Sequence, residues 1–384
     1  MSIHVAIVRQ SYRNDGGAER FVARLINALN TTDIKLTLLT RNWQDLASSD
    51  INVISCNPKY FGRLARDWSF SRAVSVAVRD NSFDLIQTNE RIPGCDLYRA
   101  GDGVHRVWLS HKSRTQGFLG RLHTAMSPYH MYVKSAEKRV FEDPRLQAVI
   151  CNSAMVKQEI VSHFDISSEK IRVIYNGIDS AAFHPGLRDR RAEIRRRFNL
   201  DQESPVFLFV GSGFHRKGLS VAIRATARIE NARLVVVGNA KRAAGYRKLA
   251  QRLGCANRID FHGVQKDVSA YYAMADALVL PTLYDPFPNV VLEAMNCALP
   301  VVTTHSCGAI DFIRSGENGY LCDALDVDGF EHSLRQLCDA GHARAIGTSG
   351  FQSVEHITPE SMQRELTSLY GTLLETDREH RHAA

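Results

Sequence analysis

Residues 276–304 read DALVLPTLYDPFPNVVLEAMNCALPVVTT. The stretch opens on a short apolar run, "DALVLP", of strand length. It crosses a turn holding Pro286 and Pro288, continues as "NVVLEAMNCA" with helical spacing of apolar residues, and ends on a second β-branched run, "PVVTT". Strand, helix and strand in that order, joined by short connections, make a parallel crossover unit. Beyond the first strand two acids stand with seven residues between them: Asp285 before the helix and Glu293 inside it.

The same rhythm runs outward in both directions. "VFLFVG" (206–211), "RLVVVG" (233–238) and "IDFHG" (259–263) read as further strands of the second half. "HVAIV" (4–8), "KLTLL" (35–39), "DLIQT" (84–88) and "AVICN" (148–152) read as strands of the first, and "AERFVARLINAL" (18–29) as a helix. Strand–helix alternation through a chain of 384 residues predicts two doubly wound α/β domains, because one core rarely grows that large. The join falls near "VIYNGIDSAAFHPGL" (173–187), where Asn-Gly and a polar Pro/Gly stretch signal a turn. The expected division is residues 1–173, a linker at 174–188, a second domain at 189–360, and a C-terminal helix and tail at 361–384. In such sheets ligands sit beyond the C-terminal strand ends, and with two domains the natural site is the cleft between them.

Composition narrows the class. Hydrophobic residues make up 44% and charged residues 23% of the chain, as in soluble globular proteins. No apolar run approaches the roughly 18 residues of a membrane span, and "MSIHVAIVRQ" reads as a strand, not a secretion signal. Eight scattered cysteines without a Cys-x-x-Cys pair suit a reducing cytoplasm. The net charge of +7 is unevenly spread. Between His105 and Ala136 stand Arg106, Lys112, Arg114, Arg121 and Lys134, with no acid, and Trp108, Leu109, Phe118, Leu119, Tyr129 and Met131 are interleaved. The plain reading is a solvated helical face. The sharper one is a surface for an anionic partner such as the inner membrane, and no nucleic-acid motif accompanies it. "RDRRAEIRRRF" (188–198) reads as an exposed structural helix.

Two motifs carry chemistry. "VGSGFHRKGLS" (210–220) follows a strand. Gly211 and Gly213 let backbone approach a ligand, and Arg216 and Lys217 set two cations near a helix start, which itself attracts phosphate. The pattern departs from both the dinucleotide fingerprint and the P-loop. In the second motif, N–H groups of Phe287, Asn289 and Val290 are expected at the helix start. Glu293 lies about three residues further on, roughly 4–5 Å at 1.5 Å per residue, near the spacing from a phosphate to its ribose. A carboxylate there accepts bonds from ribose hydroxyls, and Asp285 could reach the hydroxyls of a sugar. The ligand implied is a nucleotide diphosphate sugar. "DVD" (326–328), which mimics a metal-binding triplet, reads as a helix cap.

With these residues in view, the chain resembles the GT-B fold, retaining glycosyltransferases of family 4. The resemblance rests on "GGAER" (16–20), "NSAMV" (152–156), "VIYNGID" (173–179), "GSGFHRKG" (211–218), "YDPFPNVVLEAMNCALPVV" (284–302) and "GAIDFIRSGENGYL" (308–321). "YRAGDGVHRVWLSHK" (98–112) is similar to a narrower group, the lipopolysaccharide core glucosyltransferases, which move glucose from UDP-glucose to an inner-core heptose. The resemblance implies two Rossmann-like domains facing each other across a cleft. It implies that Glu293 holds the nucleotide ribose, that Asp285 stands for a Glu contacting the transferred sugar, and that Arg216 and Lys217 bind the diphosphate. Pro288 stands where many members have Gly. Gly16 and Gly17 match a loop meeting the sugar and phosphate. Asp102 matches an acid close to the donor sugar, and His105 is a further site candidate.

The expected function is therefore hexose transfer, with retention, from a UDP-sugar to a lipopolysaccharide-core or related glycolipid acceptor. It would need neither metal nor cofactor and would take place at the cytoplasmic face of the inner membrane. The alternatives weighed beside it are a nucleotide-sugar epimerase, a transferase acting on exopolysaccharide or a small acceptor, and a non-catalytic binding module.

Overall fold

The computed structural model describes residues 3–11, 34–42, 51–239 and 243–383, with side chains described as far as Glu375. The chain divides into two compact units: residues 1–176 with 359–384, and residues 177–358.

The first unit holds a seven-stranded, all-parallel sheet of β1 (Ile3–Val8), β2 (Ile34–Thr40), β3 (Asn52–Ser55), β4 (Leu85–Thr88), β5 (Leu97–Arg99), β6 (Ala148–Cys151) and β7 (Ile171–Val173). Its order is β3-β2-β1-β4-β5-β6-β7. Successive residues of a strand point to opposite faces, and β1 feeds two cores in this way. Val5 and Ile7 pack with Leu36, Leu38, Leu85 and Ile150 on one face. Ala6 and Val8 pack with Phe70 and Val74 of the helix Gly62–Asp80 on the other.

What covers the Val5–Ile7 face comes from the far end of the chain. Met362, Leu366, Leu369, Tyr370, Leu373 and Leu374 of the helix Pro359–Ala383 complete that core, and Tyr370 Oη donates to the buried Gln87 side chain. The sequence reading ended the second domain at 360 and set the last helix apart. Here the chain leaves the second unit at Thr358 and the helix belongs to the first. The turn expected at 174–188 is divided as well, since the second unit begins at Gly177.

The second unit has six parallel strands: β8 (Val206–Val210), β9 (Arg233–Val237), β10 (Ile259–Gly263), β11 (Ala277–Val279), β12 (Val301–Thr304) and β13 (Tyr320–Cys322). They are ordered β10-β9-β8-β11-β12-β13. Both sheets thus reverse direction beside their first strand, the doubly wound arrangement with its switch point between first and fourth strands. The basic helix near residue 190, read as exposed, is only partly so. Arg195 is fully buried in Arg191–Arg197, where it donates to Met274 O and to three carbonyls of residues 201–204 and pairs with Asp276 at 2.6 Å. It is a structural cation, satisfied on every side.

Candidate active site

The site in the second unit grows from the switch point. β8 and β11 are neighbours, with Leu208 opposite Leu278, so the loops leaving their C-terminal ends are adjacent although far apart in sequence. The first loop leaves β8 through Gly211 and Gly213, both at positive φ, and turns through Gly218 (φ +75°) into the helix Leu219–Ala227. Gly218 is required: a Cβ there would stand 1.8 Å from the Pro281 carbonyl oxygen. That closeness lets the second loop bind the first. Leu283 N and Thr282 Oγ1 both donate to Arg216 O, at 2.8 and 3.2 Å.

The side chains continue the convergence. Arg216 Nη1 donates to Tyr284 O at 3.0 Å and to Asp285 Oδ2 at 3.1 Å. Lys217 Nζ reaches the same Oδ2 at 2.5 Å. Asp285 is 6% exposed, and its backbone is pinned by Ser306 O and Gly308 N. Burial pushes the Asp285 carboxyl up, but Lys217 and Arg216 outweigh it and hold it below the usual carboxylate range. The arrangement is two fixed cations and one anion, a net positive centre at the mouth of a sheet.

Helix Asn289–Asn296 follows. Pro288, read as part of the turn, is the helix N-cap, with ψ of 113°, and its carbonyl accepts from Val291 N at 3.0 Å. Phe287, Asn289 and Val290 line this helix start. Glu293 is 3% exposed, and Tyr272 Oη donates to its Oε2 at 2.8 Å. Tyr272, on the short helix Ser269–Met274, escaped the sequence reading: its only mark was an aromatic pair in "SAYYAM". Asp326 caps the helix Val327–Gln336 by accepting from Gly329 N at 2.9 Å, and Asp328 pairs with Arg228. Among the described residues no cluster of His, Cys, Asp or Glu could hold a metal.

The remaining predicted residues belong to the first unit. Gly16 and Gly17 lie outside the described residues. Asp102 follows β5 with its side chain 70% exposed, and Arg91 Nη1 is 3.7 Å away. Arg91 also donates to the buried Glu137 (3.0 Å) and to Gly103 O (3.3 Å). Glu137 in turn accepts from His105 N with both oxygens, so one buried carboxylate holds the segment just after Asp102, His105 directly and Gly103 through Arg91. His105 Nε2 lies 3.0 Å from His130 Nδ1. Burial, with Arg91 and His130 nearby, pushes the His105 imidazole down to about 3, so it is neutral at ordinary pH.

Two family models match successive parts of the chain. Residues 15–182 match Glycosyltransferase Family 4, and residues 190–349 match Glycosyl transferases group 1. The chain belongs to the family 4 glycosyltransferases and has their two-domain GT-B architecture. It is similar to a lipopolysaccharide core biosynthesis glycosyltransferase, LpsE, of Rhizobium meliloti: 26% identical, covering 88% of this chain and 92% of LpsE. It is 25% identical to the lipopolysaccharide glucosyltransferase WaaG of Escherichia coli, over 82% of this chain and 84% of WaaG. A crystal structure of WaaG superposes with a TM-score of 0.81 at 21% identity, covering 95% and 99% of the two chains. Anabaena HepE in complex with UDP-glucose matches at 0.72 and 18%, over 96% and 100%.

Proposed function

We propose that the protein is a retaining glycosyltransferase that moves a hexose, glucose, from UDP-glucose to a lipopolysaccharide-core or related glycolipid acceptor, without a metal ion or other cofactor. The observation that carries this reading is the convergence of Arg216 and Lys217 on Asp285 beside the start of helix Asn289–Asn296. Breaking the bond from the anomeric carbon to phosphate leaves a nucleoside diphosphate with growing negative charge. Two preorganised cations stabilise that charge without help from a metal. The diphosphate takes over the cations from Asp285, which is then released toward the sugar hydroxyls. Glu293, held by Tyr272, accepts from the ribose, and Asp102 orients the transferred sugar. The acceptor hydroxyl attacks on the face from which the phosphate departs, and its proton passes to the leaving phosphate oxygen. The donor and acceptor classes follow the activities of WaaG and LpsE and the UDP-glucose bound to HepE.

The acceptor would be met at the cytoplasmic membrane surface. Helices His105–Ser113, Phe118–Ala125 and Pro128–Phe141 build the basic segment, and Phe118 (80%) and Leu119 (78%) stand out from it into solvent beside Arg114 and Arg121. Cations beside exposed apolar groups suit an anionic lipid surface. No helix among the described residues is long and apolar enough to cross a membrane.

The test is transfer from UDP-glucose to heptose-containing core glycolipid in the presence of EDTA, with the anomeric configuration of the product read by NMR. Turnover unaffected by EDTA and an α-linked product are expected. Arg216→Ala should lower kcat by about 10²–10³. Loss of activity in EDTA with recovery on Mn²⁺, or an inverted product, would refute the mechanism.

A further inference from the structure

We propose that the exposed face of helix Gly62–Asp80, together with Phe61 before it, is a second membrane-contacting element that seats in the headgroup layer of an anionic phospholipid bilayer. It lies beside the docking surface proposed above for residues 105–136 and does not depend on that reading.

Phe61 is the N-cap of this helix and is 97% exposed. Leu64 and Trp68 follow at three and seven positions, one stripe of a helix, and both are exposed, Trp68 by 50%. Tyr60, also exposed, precedes them. The opposite stripe, Phe70 and Val74, is the one buried against β1. The helix is therefore apolar on two sides, and packing among the described residues accounts for only one. Exposed cations frame the outer ridge: Lys59, Arg63 and Arg72. The acid of this stretch, Asp67, is tied to Arg66 at 2.7 Å and to Gln10 at 3.2 Å. Arg72 lies 5.8 Å from the Trp68 ring, and Arg63 lies 4.3 Å from the ring of Tyr129. Tyr129 belongs to the helix Pro128–Phe141, so the Arg63 contact joins the ridge to the basic segment.

Trp, Tyr and Phe beside Arg and Lys is the composition that partitions to the membrane–water interface, where the rings sit among headgroups and the cations meet lipid phosphates. A second copy of the chain is a poorer occupant. A two-fold interface would bring the same cations of both copies together, and like charges repel.

The test uses the full-length protein with vesicles of phosphatidylcholine alone or mixed with phosphatidylglycerol. Phe61→Ser/Leu64→Ser/Trp68→Ser should bind the anionic vesicles roughly tenfold more weakly than the parent, with its thermal melt unchanged because the three side chains are exposed. In a Trp43→Phe/Trp108→Phe background, emission from Trp68 should shift to the blue and be quenched by brominated lipid. Undiminished binding by the ridge variant and an unshifted Trp68 would overturn the proposal while leaving the basic segment as the anchor. Loss of binding in the ridge variant, but not in Phe118→Ser/Leu119→Ser, would uphold it and remove the other reading. Absence of parent binding to anionic vesicles overturns both; self-association that the ridge variant abolishes overturns the proposal for the ridge.

Discussion

Lys217 Nζ lies 2.5 Å from Asp285 Oδ2, across 68 residues of sequence, and Arg216 shares the same oxygen. The acid expected to touch sugar thus neutralises the cations expected to touch phosphate. Replacing Asp285 with Asn leaves Lys217 buried without its counter-ion, which costs on the order of 3 kcal/mol. It also removes the anion that competes with a diphosphate. The variant should melt lower, bind UDP more tightly by titration calorimetry, recover much of its stability when UDP is added, and transfer sugar more slowly. Weaker UDP binding would contradict the competition. The carboxylate's contribution to stability is present above the ordinary carboxylate pKa and is lost as pH falls through its depressed value, so the parent–variant difference should shrink below about pH 4.

Gly218→Ala should act on the same centre through the backbone. The added Cβ meets the Pro281 carbonyl and the residue sits at φ +75°. The conformational term alone is about 1–2 kcal/mol, and the clash forces the two loops apart. Denaturant midpoints should fall and UDP affinity should drop. An Ala variant as stable as the parent would show that the loops tolerate separation.

The helix Pro359–Ala383 is part of the first unit's core. Leu366 is fully buried against β1 and its neighbours, and Leu366→Ala should cost about 2–5 kcal/mol. Hydrogen exchange should rise in β1 and β4, whose residues Val5, Ile7 and Leu85 lose packing, although the substitution lies more than 270 residues away from them in sequence.

Burial, with Arg91, His130, Lys134 and Lys112 nearby, holds His105 neutral, while in the unfolded chain it titrates near 6.5. The unfolded state therefore binds the extra proton first, and stability falls as pH drops from about 6.5 toward about 3. His105→Gln removes that dependence. Urea midpoints at pH 7 and pH 5 should differ less in the variant than in the parent, and an equal difference in both would show that His105 does not contribute.

The long apolar runs were legible. "VFLFVG", "RLVVVG" and "HVAIV" are buried strands because both faces of a parallel sheet are covered, and each appears where its composition places it. β3, β5, β7 and β13 were not legible: they have three or four residues, as β4, β6, β11 and β12 do, and pairing with a neighbouring strand, not a local pattern, defines them. The helix read at 18–29 lies outside the described residues. In the site, Arg216, Lys217, Asp285 and Glu293 were marked by residue type just after strands. Tyr272 carried no such mark, because a tyrosine that orients a carboxylate looks in sequence like any core aromatic.

The sequence by itself determined the alternation of strand and helix, the two-part organisation, and the identity of the charged residues near the strand ends, because periodicity and turn chemistry are local properties of the chain. Only the tertiary structure decided that Asp285 pairs with Lys217, that the last helix returns beneath the first sheet, and that Phe61, Leu64 and Trp68 stay in solvent. Each depends on which elements become neighbours, and β8 beside β11 is a consequence of sheet order that no window of sequence contains.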